Sequence, residues 1–241
     1  MSEWKAKRFW KEAAVVEDAG GFGIRLDGRP VKTPAKAALV VPSRPLAEAI
    51  AQEWDAQEEL IRPDTMPNTR SANAAIDKVQ HQHAEVAEML AGYGDTDLLC
   101  YRADSPDSLV ARQAEAWDPL LAWAEARYGA RLVPVAGVMH RPQDPDALAL
   151  FSAVVHGMDN FALTAFHDLV GLSGSLVIGL AAMEGVWPAG ELWEVSRLDE
   201  RWQEEQWGID EEARATEAIK RAEFLHAKRF HDLAQGAGTE A

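Results

Sequence analysis

The sequence contains one cysteine, Cys100, so no disulfide forms within the chain. This composition is typical of proteins kept in a reducing compartment. The longest apolar run, residues 176–183, is much shorter than the roughly 20 residues that cross a bilayer. The first residues, MSEWKAKRFWKEAAVVE, resemble neither a secretory signal nor a transit peptide, because they lack a long apolar run and contain acids. We therefore expect a soluble, cytoplasmic protein that does not associate with membranes.

Motifs that bind metals or cofactors are also missing. The seven histidines are scattered, and His81 and His83 lie about 200° apart on a helix, too far to share one ion. No GxGxxG motif follows the first predicted strand, and the sequence has no HExxH motif. Cys100 is surrounded by leucines and a tyrosine, which is typical of a packed core residue rather than a nucleophile. The sequence therefore predicts no metal, no cofactor and no catalytic residue.

Basic residues are few, since 24 Lys and Arg stand against 39 Asp and Glu, for a net charge of −15. Nucleic acid is excluded as a partner, because its phosphates would be repelled in the absence of a concentrated basic patch. The acids are concentrated in residues 191–217, which hold ten acidic residues and three arginines. The nine tryptophans are numerous; most are expected in the core, but tryptophan is also enriched at protein interfaces.

The stretch GGFGIRLDGRPVKTP, residues 20–34, has the residue types of a phosphate-binding loop in the wrong order. Three other residues separate Gly28 from the lysine and threonine, which would have to follow the last glycine directly. Asp27 and Gly28 instead suit a two-residue type I′ turn, which needs positive φ at both positions. We therefore predict a β-hairpin that joins residues 22–26 to residues 29–33.

Helical periodicity begins after the predicted strands. Ser43 is a suitable N-cap, and Leu46, Ile50 and Trp54 recur four residues apart, which predicts a helix that covers one face of the sheet. A second helix is predicted over residues 76–90, and the chain after about residue 95 is almost entirely helical in pattern.

These patterns predict an α+β protein with two domains. Residues 1–90 form a small N-terminal β-sheet with covering helices, a two-layer α/β arrangement, and residues 91–241 form an all-α orthogonal helical bundle. Gly171, Gly174 and Gly179 interrupt an apolar run that does not fit the GxSxG nucleophile motif. Such small residues favour a buried helix that packs closely against its neighbours.

The segment ELWEVSRLDERWQEEQWGID, residues 191–210, is predicted to be one helix with three faces. One face is apolar and one carries charges paired in sign. Between them lies a strip of two tryptophans with polar residues between, here called the Trp193–Trp207 strip: Trp193, Ser196, Glu200, Gln203 and Trp207. Two interpretations stay open, because such a strip either lies against the protein's own sheet or forms a binding surface anchored by aromatic residues.

Seven blocks follow one another along the chain: RFWKEAAVVE, GFGIRLDGRPVKTP, LAEAIAQEWDAQEE, MPNTR, TDLLCYRAD, RQAEAWDPLLAWAEARYG and SRLDERWQEEQWG. In this order they resemble the F1-ATPase assembly chaperones that are specific for the α subunit. They span almost the whole chain, and GRPVKTP and EWDAQ are the most distinctive. The family commonly has an apolar residue at the position of Asn68 and a leucine at that of Ser71.

The resemblance implies a protein that is not an enzyme. Members hold the newly made α subunit before assembly, cover the surface later taken by the β subunit, and occur in mitochondria and α-proteobacteria. We accordingly expect a bacterial, cytoplasmic monomer that binds the α subunit. The residues that match the family's motifs, together with Trp193 from the strip, are the candidate partner-binding set: Trp54, Trp193, Asp199, Glu200, Gln203 and Trp207. Trp54 also lies on the sheet-facing stripe, so a structural role is equally open for it.

Two other hypotheses remain. One is a small-molecule enzyme or ligand-binding protein with a site between the sheet and the helices, in which Asp199 and Glu200 act as acid and base. Adjacent carboxylates on a helix diverge by about 100°, which makes them a poor catalytic pair. The other is a generic holdase, which would bind unrelated denatured chains.

Overall fold

The computed structural model describes residues 7–236. A four-stranded antiparallel sheet contains β1 (Ala13–Asp18), β2 (Gly21–Leu26), β3 (Arg29–Pro30) and β4 (Val40–Val41). β2 is central, since it pairs with β1 over its whole length and with β3 and β4 along its other edge. The predicted hairpin is confirmed: φ is 46° at Asp27 and 79° at Gly28, both positive as a type I′ turn requires.

Helix α1 (Arg44–Asp55) covers this sheet. The Ser43 hydroxyl accepts a hydrogen bond from the backbone N–H of Leu46 at 3.2 Å, which confirms the predicted N-cap. Leu46 and Ile50 are fully buried in a core cluster that also contains residues of β2 and β4. Trp54 packs half-buried against this cluster, so the predicted sheet-facing stripe is confirmed.

Helix α2 (Pro67–Asp77) begins against a carboxylate from α1. Glu53 accepts hydrogen bonds from the backbone N–H groups of Asn68 and Thr69 at 2.6 and 2.8 Å, and from their side chains at 2.8 and 2.7 Å. Negative charge at a helix N-terminus is stabilised by the unpaired N–H groups there. Asn68 therefore has a local partner at a position where the resembled family commonly carries an apolar residue.

The single helix predicted over residues 76–90 is wrong. α2 ends at Asp77, a 3₁₀ turn occupies Val79–His81, and α3 (His83–Ala91) follows. Lys78 leaves the helical region, with φ −121° and ψ −65°. The spacing of three and four residues persists within each piece, so local periodicity did not reveal the change of direction.

The rest of the chain is mainly helical, and the α+β class is confirmed. Short 3₁₀ turns occupy Pro63–Thr65, Gly92–Thr96 and Leu98–Cys100, and β5 (Tyr101–Arg102) pairs in parallel with β6 (Val135–Ala136). The remaining helices are α4 (Asp107–Tyr128), α5 (Pro145–His156), α6 (Asn160–Ser173), α7 (Leu176–Glu184), α8 (Ala189–Ser196), α9 (Leu198–Trp207) and α10 (Glu211–Ala234).

The described residues cluster into two compact units. The first takes in the chain up to Gln82, with Asp159–Ala165 and the described residues from Arg229 onward. The second consists of His83–Met158 and Phe166–Lys228. The sequence-based domains, residues 1–90 and 91–241, stay a prediction.

In the second unit, α7 packs closely against α6 as its glycine content predicts. All residues from Leu176 to Ala182 are buried. A Cβ at Gly179 would lie 2.8 Å from Cγ2 of Val170 and 2.9 Å from Cε2 of Phe166. Gly179 therefore leaves room for the side chains of α6.

We predict that Gly179→Ala lowers the free energy of unfolding by about 1–3 kcal/mol, because the new methyl group overpacks this contact. Gly171→Ala is the matched control, since a Cβ at Gly171, also on α6, has no neighbour within 4 Å. Alanine stabilises a helix interior by roughly 0.5–1 kcal/mol relative to glycine, so the control should be neutral or stabilising. Urea denaturation of both variants measures the difference, and equal effects would contradict the packing argument.

Candidate partner-binding surface

Residues 191–210 do not form the single helix that was predicted. α8 ends at Ser196, α9 begins at Leu198, and Arg197 between them has φ −107° and ψ 17°. A helical wheel drawn through this break misplaces the residues on either side. The Trp193–Trp207 strip is consequently not one exposed face, because Trp193 is 0% exposed whereas Trp207 is 80% exposed.

Trp193 is a core residue of the second unit. Its indole Nε1 donates a hydrogen bond to Glu217 at 3.3 Å, and its ring lies 5.5 Å from that of Phe224. The Arg197 guanidinium lies over the same ring at 5.0 Å. In this structure Trp193 is not available at the surface, which corrects its place in the candidate partner-binding set.

Arg197 links the helix break to the exposed acid of α9. Its Nη2 donates to the carbonyl oxygens of Leu172 and Ser173, at 3.3 and 3.1 Å, at the C-terminal end of α6. Its Nη1 donates to Oε1 of Glu200 at 3.0 Å. The Glu200 side chain remains 51% exposed, so Arg197 orients this carboxylate without removing it from water.

α9 forms a ridge between two grooves. The acidic groove, of about 620 Å³, lies between α9 and the start of α10. The second groove, of about 710 Å³, lies between α9 and the loops around residues 101–106 and 137–138, and we call it the loop groove. Gln203 and Trp207 line both. Charged side chains of the acidic groove are Arg197, Glu200, Glu204, Asp210, Glu212, Glu217 and Lys220.

Asp199 and Glu200 line different grooves, as the divergence of adjacent helical residues predicts. Asp199 faces the loop groove, where its Oδ1 accepts a hydrogen bond from Nε2 of Gln113 at 2.7 Å. Gln113 is buried, and its Oε1 accepts from the backbone N–H of Ala103 at 2.8 Å. Asp199 is therefore fixed in position by a buried amide.

The remaining candidate, Trp54, belongs to the first unit. Its ring packs edge-on against Trp10 at 5.2 Å between centroids. Its indole Nε1 is buried and has no hydrogen-bond partner among the described residues. These contacts assign Trp54 to the core that α1 builds on the sheet.

Two residues of this surface escaped the sequence analysis. Arg197 falls on the predicted face of charges paired in sign, because its partners on α6 lie 24 and 25 residues away and leave no signal in the local pattern. Val138 was not noticed, because one valine in a loop carries no periodic signal, yet its side chain lines the loop groove and is 90% exposed.

The described part of the chain, residues 7–236, contains no cluster of three or more His, Cys, Asp or Glu side chains placed to bind a metal ion. It also contains no helix that is long and apolar enough to cross a membrane. Burial raises the pKa of the Cys100 thiol to about 12, so the thiol stays protonated at neutral pH.

Comparison with known proteins gives consistent matches. The family model described as ATP12 chaperone protein matches residues 7–125. Crystal structures of Atp12 from Paracoccus denitrificans and of a mutant of it are each 49% identical, with a TM-score of 0.94; they cover 96% and 97% of this chain and 100% of their own. The Atu1473 protein of Agrobacterium tumefaciens is 43% identical with a TM-score of 0.89, over 94% of this chain and 85% of its own.

A curated relative, the mitochondrial protein atp12 of Schizosaccharomyces pombe, is 27% identical over 219 residues, which are 86% of this chain and 75% of that protein. The fold and these likenesses define the class: an assembly chaperone for ATP synthase. The chain belongs to the ATP12 chaperone family, which confirms the resemblance drawn from its motifs.

An ion-pair network fixes α9 to its neighbours. Arg201 pairs with Glu194 at 3.1 Å, Glu204 at 3.4 Å and Glu217 at 2.8 Å. The hydrogen bond from Arg201 is the main cause that lowers the pKa of Glu217, which is only 17% exposed. A second ion pair, between Arg112 of α4 and Glu205 of α9, is more exposed to solvent, with side chains 40% and 51% exposed.

We predict that Arg201→Met lowers the free energy of unfolding by about 1–2 kcal/mol at neutral pH, because Glu217 loses its charged partner. Because the pKa of Glu217 is lower in the folded than in the unfolded chain, its carboxylate stabilises the fold fully at pH values above the unfolded pKa of 4.5. This stabilisation is lost as the pH falls through the folded pKa. The difference from wild type should therefore shrink below that pH. Arg112→Met should cost only about 0–0.5 kcal/mol. Urea denaturation across pH tests this, and a pH-independent difference would contradict it.

Proposed function

We propose that this chain binds the unassembled α subunit of F1-ATPase, shields its subunit interface from aggregation and hands it over to the β subunit. The observation that carries the proposal is α9, which presents the exposed Trp207 beside Gln203, Asp199 and Glu200. Exposed tryptophan is unusual on a soluble surface and is typical of interface anchors. Trp193 and Trp54 support this surface and the first unit from within the core.

The mixed character of α9 suits transient binding. A subunit interface that awaits its partner exposes apolar surface, so a chaperone must cover that surface and still yield to the final partner. A buried tryptophan anchor is worth about 2 kcal/mol or more, whereas an exposed ion pair contributes about 0–1 kcal/mol. Trp207 therefore supplies affinity in this proposal. Glu200 meets an Arg or Lys of the α subunit and contributes mainly to encounter rate and specificity.

The proposed role is not enzymatic and needs no cofactor. Asp199 and Glu200 line different grooves, which disfavours the acid–base pair of the enzyme hypothesis. A generic holdase would capture unrelated denatured chains as well as the α subunit, so binding to such chains distinguishes the two roles. The compared crystal structures come from bacteria, and by analogy we place this activity in a bacterial cytoplasm, with the chaperone as a monomer.

The direct test is co-purification of the tagged chain with the isolated α subunit and, separately, with the isolated β subunit of the same ATP synthase. We expect capture of α alone. A set of unrelated denatured proteins is the control, because a generic holdase would capture them as well. The proposal would be rejected if the chain captured neither subunit. It would also be rejected if the chain captured the β subunit and denatured proteins as well as it captured the α subunit.

Charge reversal tests the surface itself. We predict that Glu200→Lys weakens α-subunit binding by at least about tenfold, because it places a cation beside Arg197 and against a basic partner. Glu58→Lys is the matched control, since it makes the same charge change at an exposed site of the first unit. Circular dichroism should show both variants folded. Binding equal to wild type in the Glu200 variant would exclude α9 as the site.

A further inference from the structure

The loop of residues 137–142 holds large apolar side chains in water. Val138 is 90% exposed and Met139 is 77% exposed. With Trp207 at 80%, they are the three most exposed large hydrophobic side chains of the described chain. Exposed apolar residues clustered around one groove mark an interaction site far more often than scattered ones do.

The loop is tied down on both sides of its apolar tip. Before the tip, the backbone N–H of Gly137 donates to the carbonyl oxygen of Arg102 at 2.8 Å, which continues the β5–β6 pairing. After it, the ring of His140 contacts the Tyr101 hydroxyl through Nδ1 at 3.1 Å and Asp95 through Nε2 at 3.3 Å. The backbone therefore presents the tip to solvent in a defined place.

Val138 and Trp207 both line the loop groove, one from the loop and the other from α9. Leu109 and Trp202, both half-buried, add apolar lining. With about 710 Å³, the groove has room for more than one side chain of a partner. These features suit the loop groove to bind a large apolar side chain of a partner protein.

The charges of the groove are acidic. Asp199 and Asp104 line it, and no hydrogen bond within the described chain reaches the second oxygen, Oδ2, of Asp199. The one basic lining residue, Arg102, is engaged elsewhere, because its Nη2 donates to Asp118 at 2.7 Å and its Nε to the carbonyl oxygen of Leu99 at 2.7 Å. An incoming cation therefore finds unneutralised carboxylate charge beside the apolar walls.

We infer that the loop groove receives a segment of the α subunit in which a large apolar side chain stands next to a lysine or arginine. This inference rests on the proposed function and extends the binding surface from α9 to the loop that carries Val138. The apolar side chain packs between Val138 and Trp207, and the cation pairs with Asp199 or Asp104. A second copy of this chain fits poorly, since it would bring carboxylates to carboxylates on a protein of net charge −15.

The test measures binding of the isolated α subunit to the full chain and to Val138→Asp. We expect Val138→Asp to weaken binding by at least about tenfold, because a buried carboxylate would face the apolar anchor and the existing acids. Ile219→Asp is the matched control: Ile219 is 63% exposed on α10, lines neither groove, and should bind like wild type. Val138→Met keeps an apolar side chain and should retain binding.

If the wild-type chain fails to bind the α subunit, the proposed function falls and the inference with it. If wild type binds and Val138→Asp binds equally well, the inference alone is overturned. In a separate experiment, a photo-cross-linking residue at position 138 identifies the occupant of the loop groove. We expect a cross-linked α-subunit peptide with a large apolar residue beside Lys or Arg, and a peptide without a cation, or a cross-link to a second copy of this chain, contradicts the inference.

Discussion

The surface of α9 depends on the guanidinium of Arg197. This group occupies the break between α8 and α9, where it donates to two carbonyl oxygens at the end of α6 and covers the ring of Trp193. The last carbonyl oxygens of a helix have no hydrogen-bond donor within the helix, so a charged donor at the C-terminus supplies the hydrogen bonds that they lack. The same guanidinium holds Glu200 at 3.0 Å. One side chain thus fixes the direction of α9 and orients the carboxylate that α9 exposes.

This arrangement resolves a conflict between stability and recognition. A binding surface must keep apolar groups in water, which favours collapse of those groups onto the protein itself. Around α9, ion pairs and a buried amide hold the backbone, so Trp207 stays at the helix end with 80% of its surface exposed. Because Trp207 is already held in place, less conformational entropy is lost when a partner binds to it.

Features set by neighbouring residues were predictable from the sequence, and features set by distant contacts were not. The turn at Asp27 and Gly28 and the cap at Ser43 follow from the conformations of one or two residues, and both are confirmed. The breaks at Lys78 and Arg197 contain no proline or glycine. The break at Arg197 is stabilised by carbonyls on another helix, which the helical period of residues 191–210 does not encode.

The candidate site divides in the same way. Motif resemblance and helical spacing led to Asp199, Glu200, Gln203 and Trp207, and the structure places all four along the two grooves beside α9. The same reasoning misassigned Trp193, because the sequence pattern of a tryptophan beside polar residues is the same whether the side chain is buried or exposed. Val138 was missed because a single valine in a loop carries no periodic signal. Only the fold, by pairing β5 with β6, shows that this valine is exposed to water in the groove that Trp207 also lines, and an exposed apolar side chain at such a site is typical of a binding surface.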